Sequence, residues 1–333
     1  MSKQGVSLVT GGCGFIGRHL VQTLINHGQP VRVLDISHCK EVFQEEIDFW
    51  SGSILDKDLL YNAMQGVSVV YHLAGIPHLW SKDPGDFYNL NVAGTKSVVE
   101  VAGRVGLQKF IYTSSETVLR GWRNSSNSPI NESQSSPELN ELPGPYSRSK
   151  LQAEQIVVQE IKNGLPGVIV YPTIPIGAGD INLTPPTQMI KNFLNGKTLA
   201  YMECNLNLIP VKAVAEGHIL AAEKGGVGER YILGQENLKM SELLLMIEQQ
   251  SGKKMPTRRI PYAVANLTAH VMELAARFSK RIPQASVEGV RLAGANLVFN
   301  CDKARKELML PQYSIPQALS EAAGWLEEHG HLD

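Results

Sequence analysis

The chain has 333 residues, 43% apolar and 19% charged, so it can bury a sizeable core and is not a disordered tail. Lys and Arg number 31 against 32 Asp and Glu, a formal net charge of -1, which argues against a basic nucleic-acid binder. No run of about 18 uncharged apolar residues appears, so no membrane span is expected. The first residues enter a strand pattern almost at once, which leaves no room for a signal peptide. Cys13, Cys39, Cys204 and Cys301 are scattered and form no CxxC pair. Neither a disulfide framework nor a metal site is therefore expected, and a reducing cytoplasm suits the chain.

Val6–Thr10, Val31–Asp35, Val67–Leu73, Phe110–Ser114 and Val168–Tyr171 read as strands. Most are nearly all apolar, as strands buried on both faces of a parallel sheet are. Phe15–His27, Lys57–Met64, Phe87–Val105 and Tyr146–Asn163 alternate with them as helices. That rhythm predicts an α/β fold with a doubly wound parallel sheet. Residues 121–145, rich in Ser, Asn and Pro, break it and read as a lid or a surface insertion. After Pro172 the pattern loosens, with helices near Thr187–Asn195, Val211–Glu223 and Ser241–Ser251. A further helix, Tyr262–Phe278, carries Val264, Leu267, Val271, Leu274 and Phe278 at spacings of three and four. The ordinary meaning of such a stripe is a packed face in the second domain, with a membrane-leaning or substrate-cap helix as the alternative. The pairs Lys253-Lys254, Arg258-Arg259 and Lys280-Arg281 read as solvated surface charge.

The sharpest local signal is Thr10-Gly11-Gly12-Cys13-Gly14-Phe15-Ile16-Gly17, between a predicted strand and a predicted helix. Gly11 permits a tight turn, Gly14 lets backbone approach a pyrophosphate at the helix N-terminus, and Gly17 allows close packing of helix on strand. Asp35 closes the next strand 18 residues past Gly17, near the roughly 20 such sites require. Its carboxylate can accept bonds from ribose hydroxyls and repels a 2′-phosphate, so NAD is favoured over NADP. Arg18 can reach the pyrophosphate or face solvent.

Tyr146 and Lys150 lie four apart on a predicted helix and so share one face. A free tyrosine, with a pKa of about 10, is a poor acid–base catalyst at neutral pH, and a nearby ammonium favours its phenolate. Such a tyrosine can exchange a proton with a carbinol or carbonyl oxygen while a nicotinamide exchanges hydride with the carbon. Upstream, Tyr112-Thr113-Ser114-Ser115-Glu116-Thr117-Val118 ends a predicted strand, where open α/β sheets bind ligands.

With these motifs the chain resembles the extended short-chain dehydrogenase/reductase superfamily, also called the NAD-dependent epimerase/dehydratase family. TGGCGFIG at 10–17, HLAG at 72–75, NVAGT at 91–95, YTSSETV at 112–118 and YSRSK at 146–150 carry the resemblance, which covers nearly the whole chain. The segments at 164–180, 205–221 and 228–238 look like the hopanoid-associated sugar epimerases, a subgroup often labelled dihydroflavonol-4-reductase-like and related to 3β-hydroxysteroid dehydrogenases. The resemblance implies a Rossmann domain over 1–171 and a smaller, mostly helical substrate region over 172–333, some of it returning to the sheet. It makes Tyr146 the proton donor and acceptor, Lys150 the ligand of the nicotinamide ribose and tuner of Tyr146, and Ser115 the group that polarises the substrate oxygen, with Ser114 as the alternative. It places Phe15 and Ile16 beside the pyrophosphate and Leu73, Ala74 and Gly75 along the adenosine. Asn91 then supports the neighbouring loop, while Thr113, Tyr171, Pro172, Thr173 and Ile174 approach the nicotinamide. A homodimer through the helices after NVAGT and at YSRSK is also implied.

Departures from the family pattern concern the substrate. Ser53-Ile54 replaces an Asp-hydrophobic pair that reads the adenine amino group. Ile174 stands near the Asn that meets the diphosphate in sugar-nucleotide members, and a diphosphate needs such donors. Glu116 stands without a second carboxylate, since Thr117 follows it, so dehydration is disfavoured. His78, Trp80 and Trp122, if they face the site, give it apolar walls suited to an amphipathic ketone or alcohol. Equally, the tryptophans pack under the 121–145 loop. The expected activity is therefore NAD-dependent alcohol/ketone interconversion on a small molecule. A cofactor-recycling epimerase is the alternative, and a non-catalytic NAD-binding protein comes third.

Overall fold

The computed structural model describes residues 5–39, 43, 46–122, 128–279 and 282–332. The pair Lys280-Arg281 and residues 123–127 of the long loop lie outside them. The chain runs β1 (Val6–Thr10), α1 (Phe15–Asn26), β2 (Val31–Asp35), β3 (Ile47–Ser51), α2 (Lys57–Ala63) and β4 (Val67–His72). Next come α3 (Gly85–Phe87), α4 (Thr95–Val105), β5 (Lys109–Thr113), α5 (Pro145–Lys162), β6 (Gly167–Pro172) and β7 (Ile174–Ile176). The remainder is α6 (Pro185–Leu194), β8 (Asn205–Pro210), α7 (Val211–Lys224), β9 (Arg230–Leu233), β10 (Glu236–Lys239), α8 (Met240–Ser251), α9 (Tyr262–Phe278), α10 (Val287–Gly294) and α11 (Ile315–Glu328).

Among the described residues seven strands form one parallel sheet in the order β3-β2-β1-β4-β5-β6-β9. Strand order reverses beside β1, and the register Thr10↔His72 and His72↔Tyr112 brings neighbouring carboxyl ends to one edge. That edge is where ligands of open α/β sheets bind. Leu20, Val21 and Leu24 of α1 pack with α7 on one face. Val98 and Val99 of α4 and Leu151 and Val157 of α5 pack on the other. A smaller core gathers α6, α8 and α11 on a three-stranded sheet, β10-β8-β7.

At three elements the fold departs from or adds to the sequence reading. The predicted helix Phe87–Val105 is broken by a π-helical stretch, Tyr88–Gly94, which turns Asn91 inward. Asn205–Pro210 is a strand although asparagines discourage one. The Asn207 amide donates to Asn237 at 3.0 Å, so cross-strand pairing overrides propensity. The third change is α9. Its apolar stripe faces out: Leu267 is 68% exposed, Val271 60% and Phe278 87%. The helix packs instead through Ala265, Ala269 and Ala276.

Cys13 and Cys39 form a disulfide, against expectation. β1 and β2 are adjacent and parallel, so the loops leaving them lie side by side and bring the Cα atoms to 5.5 Å. Sequence spacing carries no trace of that adjacency. Denatured without reductant, the protein is expected to show two reactive thiols, Cys204 and Cys301, and four after reduction. Four before reduction would mean the pair stays open in solution.

Candidate active site

The glycine loop is built by close approach. Gly11 takes φ +73°, and a Cβ there would lie 2.7 Å from the Ala74 nitrogen. A Cβ on Gly17 would lie 2.2 Å from the Gly11 carbonyl oxygen. Gly12, not singled out from sequence, needs its bareness too, since a Cβ would sit 2.7 Å from a Val33 methyl. At Gly14 the nearest obstacle is the Gly11 oxygen at 3.3 Å, and α1 starts there with no side-chain cap and no acidic residue in its first turn. Its leading N–H groups and positive dipole end therefore suit an anion. The Phe15 ring is buried and Ile16 is half-buried, so both offer backbone. The Arg18 Nε donates to the Cys13 carbonyl at 2.9 Å.

Asp35 ends β2 and bolts this loop down. One carboxylate oxygen accepts the Cys13 N–H and the other the Ser37 N–H, both at 2.9 Å. Each oxygen keeps a lone pair for a hydroxyl donor. Leu73, Ala74 and Gly75 follow β4 across from the loop. Asn91 braces them: its Oδ1 accepts the Ile76 N–H at 2.8 Å and its Nδ2 donates to the Ser149 hydroxyl at 2.9 Å. The Ser53 hydroxyl accepts the Leu55 N–H, and Ile54 is buried beneath Gly94. A bare loop at an uncapped helix start, with a carboxylate at the next strand's end, suits an adenine dinucleotide.

Tyr146 stands in the first turn of α5, behind Pro145. The Phe87 ring meets its ring edge-on at 6.2 Å, and the Ser115 side chain is the neighbour that favours its ionised form. Ser115 follows β5 and is fixed by Thr117, whose N–H and hydroxyl donate to it at 3.3 and 3.1 Å. Burial pushes the Tyr146 phenol up to about 12; the Ser115 side chain pulls it down, and Glu116 and Glu288 push it higher. Lys150 is buried one turn along the same helix. Burial brings its ammonium down to about 8 against the pull of Glu154. Its Nζ donates to the Thr113 carbonyl at 2.7 Å and lies 4.9 Å from the Tyr112 ring centre. Lys150 is not among the groups that shift the Tyr146 phenol in this geometry. The ammonium is committed to β5, while the phenol answers to burial and two carboxylates.

Other candidates turn elsewhere. Ser114 and Ser115 leave β5 in opposite directions, as successive extended residues do. The Ser114 hydroxyl donates to Glu154 at 2.6 Å, so Ser114 is no alternative to Ser115. The Tyr171 hydroxyl donates to the same carboxylate at 2.8 Å, which commits its side chain to the core. Glu116 is buried and pairs with Arg120 at 3.3 Å. The Thr113 hydroxyl meets His218 Nε2 at 2.8 Å, while Nδ1 faces the Val214 carbonyl at 2.7 Å. Burial brings His218 down to about 4, so it is neutral at pH 7. Pro172 ends β6, the Thr173 hydroxyl donates to the Leu233 carbonyl, and Ile174 is half-buried in β7. His78 and Trp80 are half-buried, and burial lowers the His78 imidazole against the pull of Asp180. The Arg291 guanidinium lies 4.7 Å over the Trp122 ring and donates to the Pro143 carbonyl at 2.9 Å.

Glu288, 142 residues beyond Tyr146, is the site residue sequence reasoning missed. Buried on α10, it accepts the Tyr146 N–H at 3.0 Å, the Ser147 N–H at 2.8 Å and the Ser147 hydroxyl at 2.5 Å. It is a remote cap on the helix that carries Tyr146, whose own N-cap, Gly144, has no side chain. A Cβ on Gly144 would lie 2.3 Å from the Glu288 carboxylate, so glycine makes room for it.

Comparison with known proteins agrees with this geometry. Residues 8–227 match the 3-beta hydroxysteroid dehydrogenase/isomerase family. A Synechocystis protein provisionally named dihydroflavonol 4-reductase is 36% identical, over 97% of this chain and 95% of its own. The 4-hydroxy-2-methyl-3-oxo-4-farnesyl-3,4-dihydroquinoline-1-oxide ketoreductase of Stigmatella aurantiaca is 33% identical, over 91% of this chain and 90% of its own. The crystal structure of gox2253 superposes with a TM-score of 0.86 at 34% identity, covering 98% of this chain and 99% of that one. The chain belongs to the 3-beta hydroxysteroid dehydrogenase/isomerase family, within the NAD-dependent epimerase/dehydratase superfamily, and is an enzyme.

Proposed function

We propose that this enzyme transfers hydride reversibly between NAD and a secondary alcohol or ketone of a partly apolar, non-nucleotide substrate. The carrying observation is that Tyr146, in the first turn of α5, and Ser115, just past β5, come together at the carboxyl edge of the sheet, where the Ser115 side chain favours the ionised Tyr146 phenol. When bound, the cofactor supplies the hydride acceptor or donor. Ser115 orients the substrate oxygen, and Tyr146 gives it a proton or takes one. The apolar substrate reading draws on Ile174 in place of a diphosphate donor, on half-buried Trp80 and on the farnesylated substrate named for the Stigmatella relative. A second copy is proposed to pack on α4 and α5, where Ile156 and Val158 stay half-buried.

The test is net NADH oxidation with a panel of apolar ketones. Tightly held NAD near one per chain, with isomer exchange and no net NADH loss, would instead establish a recycling epimerase. The raised Tyr146 pKa sets the pH response. The protonated phenol is the acid that reduction needs, so ketone reduction is expected to stay level from pH 7 to about pH 10 and to fall only as the phenol ionises toward about pH 12. Alcohol oxidation, which needs the phenolate, is expected to rise over that range. Opposite slopes would place the proton on another group.

Asp35→Ala is expected to weaken NADH binding by about 10–100-fold and to narrow its advantage over NADPH, since it removes a charge-assisted acceptor and the loop's bolt together. Asp35→Asn keeps the shape and loses the charge. Fluorescence titration of both nucleotides checks the pair, and unchanged preference in both variants would leave Asp35 a structural residue only.

A further inference from the structure

α9 is mounted with its large side chains outward. Val264, Leu267, Val271, Leu274 and Phe278 repeat at three and four residues and are each at least 48% exposed. On a helical projection they form one narrow stripe, opposite the alanines that hold the helix to the protein. Ile282, just beyond, is 67% exposed. A stripe of this size on a folded protein marks a contact surface.

The charges around it state which contact. The whole chain is near neutral, yet residues 253–282 hold seven Lys and Arg against one acid, Glu273. Arg259 is neutralised by Glu203 at 3.0 Å and Lys253 donates to the Leu194 carbonyl, which leaves Lys254, Arg258 and Arg277 as the basic side chains facing out among the described residues. Basic residues thus bracket both ends of an apolar stripe, the pattern of a helix that lies in an anionic lipid interface. A second copy of the same helix fits less well. The positions flanking the stripe are Ala263, Thr268, His270, Ala275 and Arg277, with no acidic partner for a coiled-coil seam. No described helix is long and apolar enough to cross a membrane, so the contact is a surface one.

We infer that α9 seats the enzyme on a lipid surface rich in anionic headgroups, with the stripe in the acyl boundary. The seat adjoins the active site. Glu273 on α9 accepts the Val287 N–H at 2.7 Å, and the next residue, Glu288, caps Tyr146 and Ser147. Lipid contact therefore lies one helix from the catalytic tyrosine. This surface is independent of which substrate the enzyme takes.

The purified chain is to be sedimented with phosphatidylcholine vesicles, with or without about one third phosphatidylglycerol. Binding is expected to the anionic vesicles, about tenfold or more weaker to neutral ones, and weakened by salt. Leu267→Ser combined with Leu274→Ser is expected to reduce it by about tenfold or more at unchanged melting temperature, since both side chains are already exposed. Val271→Trp is expected to shift its emission to the blue when anionic vesicles are added. No vesicle binding, or binding unaffected by the serine pair, overturns the inference. So does a lipid-free dimer that the serine pair dissociates, which would make the stripe an interface between copies.

Discussion

Replacing Tyr146 with phenylalanine is expected to lower kcat for ketone reduction by about 10²–10⁴-fold, the usual worth of one positioned acid. NADH affinity is expected to change by less than about threefold, because phenylalanine keeps the ring and loses only the hydroxyl that would meet the substrate. The fold has little reason to respond. The edge contact with Phe87 depends on the ring, and Ser115 stays held by Thr117. The measurement is steady-state reduction of the best ketone in the panel, beside a fluorescence titration of NADH on the same preparation. Retained turnover within tenfold would move the proton transfer off Tyr146. Lost turnover together with lost NADH affinity would make the hydroxyl part of the cofactor's seat.

Much of this site is legible in sequence because its logic is local. The turn at Gly11, the helix start at Gly14 and the packing of Gly17 are settled within eight residues, and Asp35 follows at the next strand's end. Tyr146 and Lys150 share a helix face by spacing alone. What stayed hidden depends on partners brought from afar or on which way a face turns. Periodicity identifies the stripe on α9 but not whether it points to the core or to solvent. The commitment of Lys150 to the Thr113 carbonyl needs the register of α5 on β5. Ser114 and Ser115 look equivalent as letters, and only the pleat separates them. The Cys13–Cys39 pairing needs the order of the strands.

Glu288 shows the same limit most plainly and carries the second large effect. Glu288→Ala removes the acceptor of two backbone N–H groups and one hydroxyl at the start of α5. A buried donor left unpaired costs about 1–3 kcal/mol, so a loss of about 3 kcal/mol is expected after partial rescue by water, and a melting point lower by roughly 4 °C. Turnover should fall as well, since the catalytic helix loses the group that fixes its first turn and a carboxylate near its positive end. Glu288→Gln separates position from charge. It keeps one acceptor oxygen and most of the fold, but it removes a negative charge that raises the Tyr146 pKa. The alkaline rise of alcohol oxidation is therefore expected to move to lower pH in the glutamine variant, by a shift that a purely structural cap would not produce. An unmoved pH profile with a lowered melting point would leave Glu288 a helix cap and nothing more.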